Sequence, residues 1–277
     1  MQTLPRVDAR GLDASRSGPI LVLGAGDVGS AVAHALHGAG FAVAIVDTQA
    51  PAHPRRGMAF ADALWDGEAV LSGVVARRVD AAASLASLLA ARDDVCVTAL
   101  ALPEVLAAAP FAGLVDALMR KRADPPDRRG LVPLAIGLGV GFVPGRNCDV
   151  AIETSWEDLG RVLHAGATLP LRGEPRAIAG IGRERVAYAP AAGILRTARR
   201  IGDVVAGGEP VATVAGETLC APIAGALRGL VRDGVMVTAG AKVLEVDPRG
   251  DPALCFGVAE RPRRIAQAVL GVLRTTG

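Results

Sequence analysis

Apolar positions along the chain change their period in a regular order. Residues 19–24, Pro-Ile-Leu-Val-Leu-Gly, form a short apolar run ending in glycine, as expected of a strand buried on both faces. From Val28 to Ala39 the apolar residues Val32, Ala35, Leu36 and Ala39 recur at helical spacing, and Gly38 and Gly40 supply the stop. Phe41 to Val46 then reads as a second strand with Asp47 at its end. Further strands are predicted at 73–79, 94–100 and 113–119, with a small-residue helix over 82–91. A terminal helix is predicted over 263–274, where Ile265, Val269, Leu270, Val272 and Leu273 mark one face. Such alternation of strand and helix predicts a parallel sheet covered by helices on both faces.

A second pattern begins near Val186. Ala189-Pro190-Ala191-Ala192-Gly193-Ile194-Leu195 returns 32 residues later as Ala221-Pro222-Ile223-Ala224-Gly225-Ala226-Leu227. Each copy runs on to a Gly-Asp or Asp-Gly turn and a β-rich stretch, Val211 to Val214 in one and Val243 to Val246 in the other. Short strands punctuated by proline and glycine predict a small β unit made of two similar halves. The pattern resembles the barrel-sandwich fold of biotinyl and lipoyl carrier domains. Those carriers present a modifiable lysine on the hairpin between the halves, whereas that hairpin here, Ala215 to Cys220, has none. A covalently loaded swinging arm is therefore not expected, and Cys220 beside it reads as a small buried hydrophobe.

The expected fold class is α/β plus β: a Rossmann-like parallel sheet followed by a barrel-sandwich module. The chain of 277 residues, 51% hydrophobic, is long enough for two moderate domains. The expected division is a disordered tail over 1–18, a dinucleotide-binding domain over 19–130 and a connecting α+β segment over 131–182. The β domain over 183–258 and a C-terminal helix over 259–277 complete it.

The first strand, turn and helix carry the clearest chemistry. In Gly24-Ala25-Gly26-Asp27-Val28-Gly29, Gly24 permits a tight turn, Gly26 lets backbone approach a pyrophosphate, and Gly29 lets helix pack on strand. The amides at the helix start, Asp27 and Val28 among them, face the phosphates. Asp47 is placed to accept ribose hydroxyls, which favours NAD over NADP, although Arg55 and Arg56 follow closely. Asp27 suits the helix dipole and is expected to point aside, since turned inward it repels a pyrophosphate. Asp116 and Lys121, at a strand end, are expected near the same crevice. Only two of the 30 basic residues are lysines, Lys121 and Lys242, and Lys121 marks either a place that calls for a compact ammonium or a solvated lysine at a basic strand end.

Other constellations carry less. Asp149 and Glu153, four apart, lie on one face of either a helix or a strand, where they can hold a cation or a protonated group. His34 and His37 lack a cysteine or acidic partner nearby, so no metal site is expected. A formal net charge of +2 and 3% aromatic residues exclude broad nucleic-acid binding. Four scattered cysteines without a CxxC pair fit a reducing cytoplasm. No signal peptide or anchor is read in the first residues, and the uncharged stretch 131–145 is shorter than a membrane span, so a cytoplasmic protein without membrane contact is expected.

Several segments together resemble one family. GAGDVGSAVAHALHGAGFAV, VDALMRKR, PLAIGLGVGF, AIETSWEDLGRVL, ERVAYAPAAGIL and APIAGALRGLVRDGVMVTAGAKVLEVDPR, spread over residues 19 to 273, are similar to the YqeB-like accessory proteins of selenium-dependent molybdenum hydroxylase systems. That family resembles in turn the Rossmann domains of the XdhC and CoxI maturation proteins. The Pro-rich Ala123-Asp124-Pro125-Pro126 after Arg122 departs from the family's asparagine-glycine type of turn. The resemblance implies an accessory protein that binds a dinucleotide, either NAD(P) or a molybdopterin dinucleotide, and serves a molybdenum hydroxylase subunit. Two alternatives stand beside it: an NAD(P)-dependent oxidoreductase, and an NAD-sensing module without catalysis. Against the first, Tyr188 is the only tyrosine and lies outside any Tyr-xxx-Lys arrangement. Whether the chain is an enzyme stays open, and its apolar, arginine-rich composition is compatible with a homo-oligomer.

Overall fold

The computed structural model describes residues 18–120, 124–170 and 176–275. Lys121 and nearly all of the expected tail lie outside the described residues. The first part is built from β1 (Ile20–Leu23), α1 (Asp27–Gly38), β2 (Val43–Val46), α2 (Ala63–Asp66), β3 (Glu68–Leu71), β4 (Val74–Arg78) and α3 (Ala82–Ala91). It continues with β5 (Val95–Thr98), α4 (Leu102–Ala108), β6 (Gly113–Asp116), β7 (Ala135–Leu138), β8 (Val150–Ile152) and β9 (Val162–Leu163). These nine strands form one sheet in the order β3-β4-β5-β2-β1-β6-β7-β8-β9. All neighbours are parallel except the two edge pairs, β3 with β4 and β8 with β9.

Alternation within β1 shows why the sheet needs two covering layers. Ile20 and Val22 join a core with α1 on one face, while Leu21 and Leu23 join Leu85, Leu89 and Val105 on the other. The chain's last helix, α5 (Glu260–Thr275), returns to the first face through Ile265, Val269 and Leu273 and packs along α1. Residues 131–182, expected as a connector, instead supply β7, β8 and β9, so the sheet runs well past residue 130. The short β3 also escaped the sequence reading, because Glu68-Ala69-Val70-Leu71 shows no alternation of its own and gains its partner only through the turn at Ser72 and Gly73.

The repeated region folds as β10 (Val186–Tyr188), β11 (Gly193–Arg196), β12 (Val204–Val205), β13 (Pro210–Val214), β14 (Glu217–Cys220), β15 (Gly225–Leu230), β16 (Met236–Val237) and β17 (Lys242–Asp247). Two antiparallel four-stranded sheets result, ordered β10-β17-β15-β12 and β14-β13-β11-β16, and neither closes on itself. A shift of 32 residues carries β11, β12 and β13 onto β15, β16 and β17, and carries β10 onto β14 within a residue. The same shift turns the first strand order into the second. Each sheet therefore holds two strands from each half, and neither half has a complete sheet alone. The turn glycines repeat as well: Gly202 and Gly234, then Gly208 and Gly240, all have positive φ. Leu195, Val214, Leu227, Val237 and Val246 fill the core between the two sheets.

Candidate functional site: the glycine loop and a charged junction

Three glycines shape the turn from β1 into α1. Gly24 has φ +102°, and a Cβ added there meets the Ala117 carbonyl oxygen at 2.9 Å, just past β6. A Cβ on Gly29 falls 1.9 Å from the Gly24 carbonyl oxygen. Both glycines are thus required for the loop to lie against its own helix and the next strand. Gly26 caps α1 in an extended conformation with no side-chain cap. The turn sits between β1 and β6, where successive connections depart to opposite sides of β1, so α1 points its amino end at the crevice beyond the strand ends. Ser30, fully buried, fixes the loop by donating to Ala25 O at 2.9 Å and accepting from the Phe60 amide at 2.8 Å.

Asp47 is brought beside this loop but is not free. Its Oδ2 accepts the Ala25 amide at 2.6 Å and lies 2.8 Å from Nε2 of His53, and its Oδ1 accepts the Thr48 amide at 2.7 Å. Burial works to raise the pKa of this carboxyl, but His53 and the two amides hold it below the ordinary carboxylate value. Its side chain is only 5% exposed, so a ribose reaches it only by displacing His53. His53 also covers Gly26, since a Cβ there lies 3.2 Å from the imidazole ring. The ribose position expected at Asp47 is filled by the chain's own histidine.

Asp27 does not point aside. Its Oδ1 accepts the Val28 amide, and its Oδ2 accepts from Arg55 Nη1 at 2.9 Å. Burial opposes ionisation of Asp27, but Arg55, with Arg261 and Lys242 more distant, keeps its pKa low. Arg55 also grips Glu245 on β17 with two bonds, of 2.9 and 3.0 Å. It thereby ties the α1 start to the β module and is not a stray cation beside Asp47. Arg56 binds Asp62 and the Leu230 carbonyl.

Glu245 is the centre of this junction. It is fully buried and is bound by Arg55, Arg185 and Lys242, with Arg228 Nε at 3.8 Å. Burial by itself raises a carboxyl pKa, yet Arg55 and Lys242 drive this one far below its ordinary value. The converse acts on Lys242, where burial and the nearby Arg55 and Arg185 outweigh Glu245 and lower its pKa to about 8. Asp247 pairs with Arg228 at 2.9 Å and with Arg249 at 2.7 Å. Arg261, at the start of α5, donates through Nε to Thr154 O, and its Nη nitrogens have no hydrogen-bond partner among the described residues. Burial and the charge of Arg55 lower its pKa, against the pull of Asp27 and Glu153.

The remaining expected residues are placed elsewhere. Asp116 is buried and accepts from Arg120, Arg128 and the Leu118 amide, so it anchors the segment after β6. Asp149 accepts the Ala135 amide, while Glu153 accepts the amides of Thr154, Ser155 and Leu169, so the two do not form a cation site together. No group of three metal-ligating side chains occurs among the described residues. Cys220, expected to be buried, is exposed, because it ends an edge strand. Cys96, Cys148 and Cys255 are buried, and burial pushes each thiol up to about 11. His53, Arg185, Glu245 and Arg261 were not anticipated. One signal for Glu245 was present: a carboxylate inside Val243-Leu244-Glu245-Val246 cannot be buried without cations.

No helix among the described residues is long and apolar enough to cross a membrane. No family model matches the chain, and no solved structure matches it. The uncharacterized protein YqeB of Escherichia coli (strain K12) is 36% identical over 257 residues, covering 92% of this chain and 47% of that relative. This chain, spanning about half the length of the curated relative it matches, belongs to the YqeB-like family.

Proposed function

We propose that this chain is an accessory protein for a molybdenum hydroxylase that binds a dinucleotide, of NAD type or a molybdopterin dinucleotide, on the loop from Gly24 to Gly29. In this reading the nine-stranded sheet is a Rossmann-like domain, kin to those of XdhC and CoxI, and the duplicated β unit is a barrel-sandwich module. The interleaving of the two repeat halves across both sheets supports the second assignment.

The observation that carries the reading is an uncapped helix start at the point where the parallel sheet changes direction. Gly26 offers no side-chain cap, and the Asp27 and Gly29 amides take no backbone acceptor among the described residues. Such a start attracts a phosphate. A shallow depression of about 230 Å³, lined by Gln49, Arg78, Asp80, Ala99 and Leu100, lies along the carboxyl ends of β2, β4 and β5, on the side where a base would extend. It is smaller than a typical ligand pocket. Arg55, His53 and the Asp27 carboxylate, which now occupy the loop and the helix start, are the groups that a bound dinucleotide rearranges.

The test is titration of the purified chain with NAD, NADH and molybdopterin cytosine dinucleotide, beside a Gly26→Leu variant. Saturable binding of one of them, lost in the variant, supports the proposal. Hydride turnover with a small substrate replaces the accessory role by an oxidoreductase, and unchanged affinity in Gly26→Leu removes the loop from consideration.

A further inference from the structure

We propose that the junction between the glycine loop and the β module is a binding site for a phosphate-class dianion, received by Lys242, Arg55 and Arg261 in front of the first turn of α1. The inference rests on the reading of α1 as a phosphate-facing helix start and adds a contribution from the β module and from α5.

Charge balance carries it first. Arg55, Arg185, Arg228, Lys242 and Arg261 gather around Glu245, Asp27 and Asp247. Counting Arg249 with its neighbour Asp251, and Glu153 as well, six cations meet five carboxylates, an excess of one. Partly buried cations in excess are costly unless an anion joins them. Burial first, and the charge of Arg55 after it, lower the pKa of both Lys242 and Arg261. A phosphate monoester or the end of a diphosphate carries the compensating charge, and the adjoining helix start favours it further.

Asymmetry of the repeat points the same way. At the positions of Lys242, Glu245 and Asp247 the other half has Pro210, Thr213 and Ala215. The β module needs no charges there to fold, since one half does without them. They occur only on the copy that faces the glycine loop. Access exists as well: the side chains of Lys242 and Arg55 are 20% and 25% exposed, and the Arg261 Nη nitrogens have no hydrogen-bond partner among the described residues.

Because the chain has only two lysines, the site can be watched directly. Reductive methylation with ¹³C leaves both amines cationic and gives one signal each for Lys121 and Lys242 beside that of the amino terminus. Adding inorganic pyrophosphate to the full chain is expected to move the Lys242 signal and raise its titration midpoint by about one unit. Lys242→Gln and Arg261→Gln should each weaken pyrophosphate binding about tenfold or more, as loss of a charge-assisted bond does. A Lys242 signal that stays still at saturating pyrophosphate overturns the proposal, as does an equal response to sulfate, which marks an adventitious ion only. If NAD binding is lost in Gly26→Leu while both glutamine variants hold pyrophosphate as the wild type does, this site falls and the dinucleotide loop stands. If Gly26→Leu keeps NAD while pyrophosphate still moves Lys242, the loop reading falls and the anion site stands. NAD and pyrophosphate competing for the Lys242 signal assigns the dianion to the dinucleotide, and independent binding assigns it to a separate phosphorylated ligand.

Discussion

Glu245 illustrates how one side chain can be indispensable without being reactive. Three cations bind it directly and a fourth lies within 4 Å, so its removal strands several charges in a buried place. Glu245→Gln keeps the shape and loses the charge. It is expected to destabilise the chain by about 3–5 kcal/mol, the cost of breaking a buried pair from one side, as read from chemical denaturation. A loss below about 1 kcal/mol means that the junction is more hydrated than its burial implies. The cysteines offer a second check at this scale: Cys220 should react with a thiol reagent in the native chain, whereas Cys96, Cys148 and Cys255, with their protonated thiols buried, should react only after unfolding. What was legible in the sequence here followed from local rules. Gly24 and Gly29 were assigned by spacing, and both are required by close contacts. The surroundings of Asp27, Asp47 and Asp116 were not legible, because their partners His53, Arg55 and Arg128 are placed by tertiary folding and no periodicity announces them.

At the scale of elements, the helix that opens the crevice is held by contact and not by propensity. α1 packs its small residues against α5 and the sheet, and its entry depends on the space left by Gly29. Gly29→Ala drives a methyl group into the Gly24 carbonyl, a backbone atom that cannot turn away. The expected loss is more than about 3 kcal/mol, beyond an ordinary overpacked side chain. Gly271, within α5, meets nothing within 4 Å of an added Cβ. Gly271→Ala should therefore stabilise by about 0.5–1 kcal/mol through helix propensity and a less flexible unfolded chain. Thermal melts of the two variants should move in opposite directions; movement of both downward places Gly271 in a contact that is absent here. The elements most visible in the sequence, β1, α1, β2, α3 and β5, have long or strongly apolar patterns. Those missed, β3, β7, β8 and β9, are two to four residues long, and their pairing is set by neighbours distant in sequence.

Across the whole molecule the two parts are joined tightly enough to unfold together. The Leu230 amide donates to Pro54 O at 2.7 Å, Arg232 grips Asp66 with two bonds, the Gly257 amide reaches Gly57 O, and Arg55 spans the junction. One calorimetric transition is expected, not two. Its response to acid follows from the carboxylates at and near the joint. Glu245 lies below its ordinary value of 4.5, and Asp27, Asp47 and Asp247 lie below 3.8, so in this range the folded chain binds fewer protons than the unfolded one. Such groups contribute stability that is complete above their unfolded pKa values and is lost as pH falls toward the folded ones. The melting temperature should accordingly be level near neutrality and decline steadily from about pH 5 downward, as a single transition throughout. Glu245→Gln lacks one of these groups, so its curve starts lower at pH 7 and falls less steeply, and the two curves should converge in acid. Parallel curves assign the acid sensitivity to other carboxylates, and a split transition shows that the β module melts apart from the sheet, which removes the junction as the source of cooperativity.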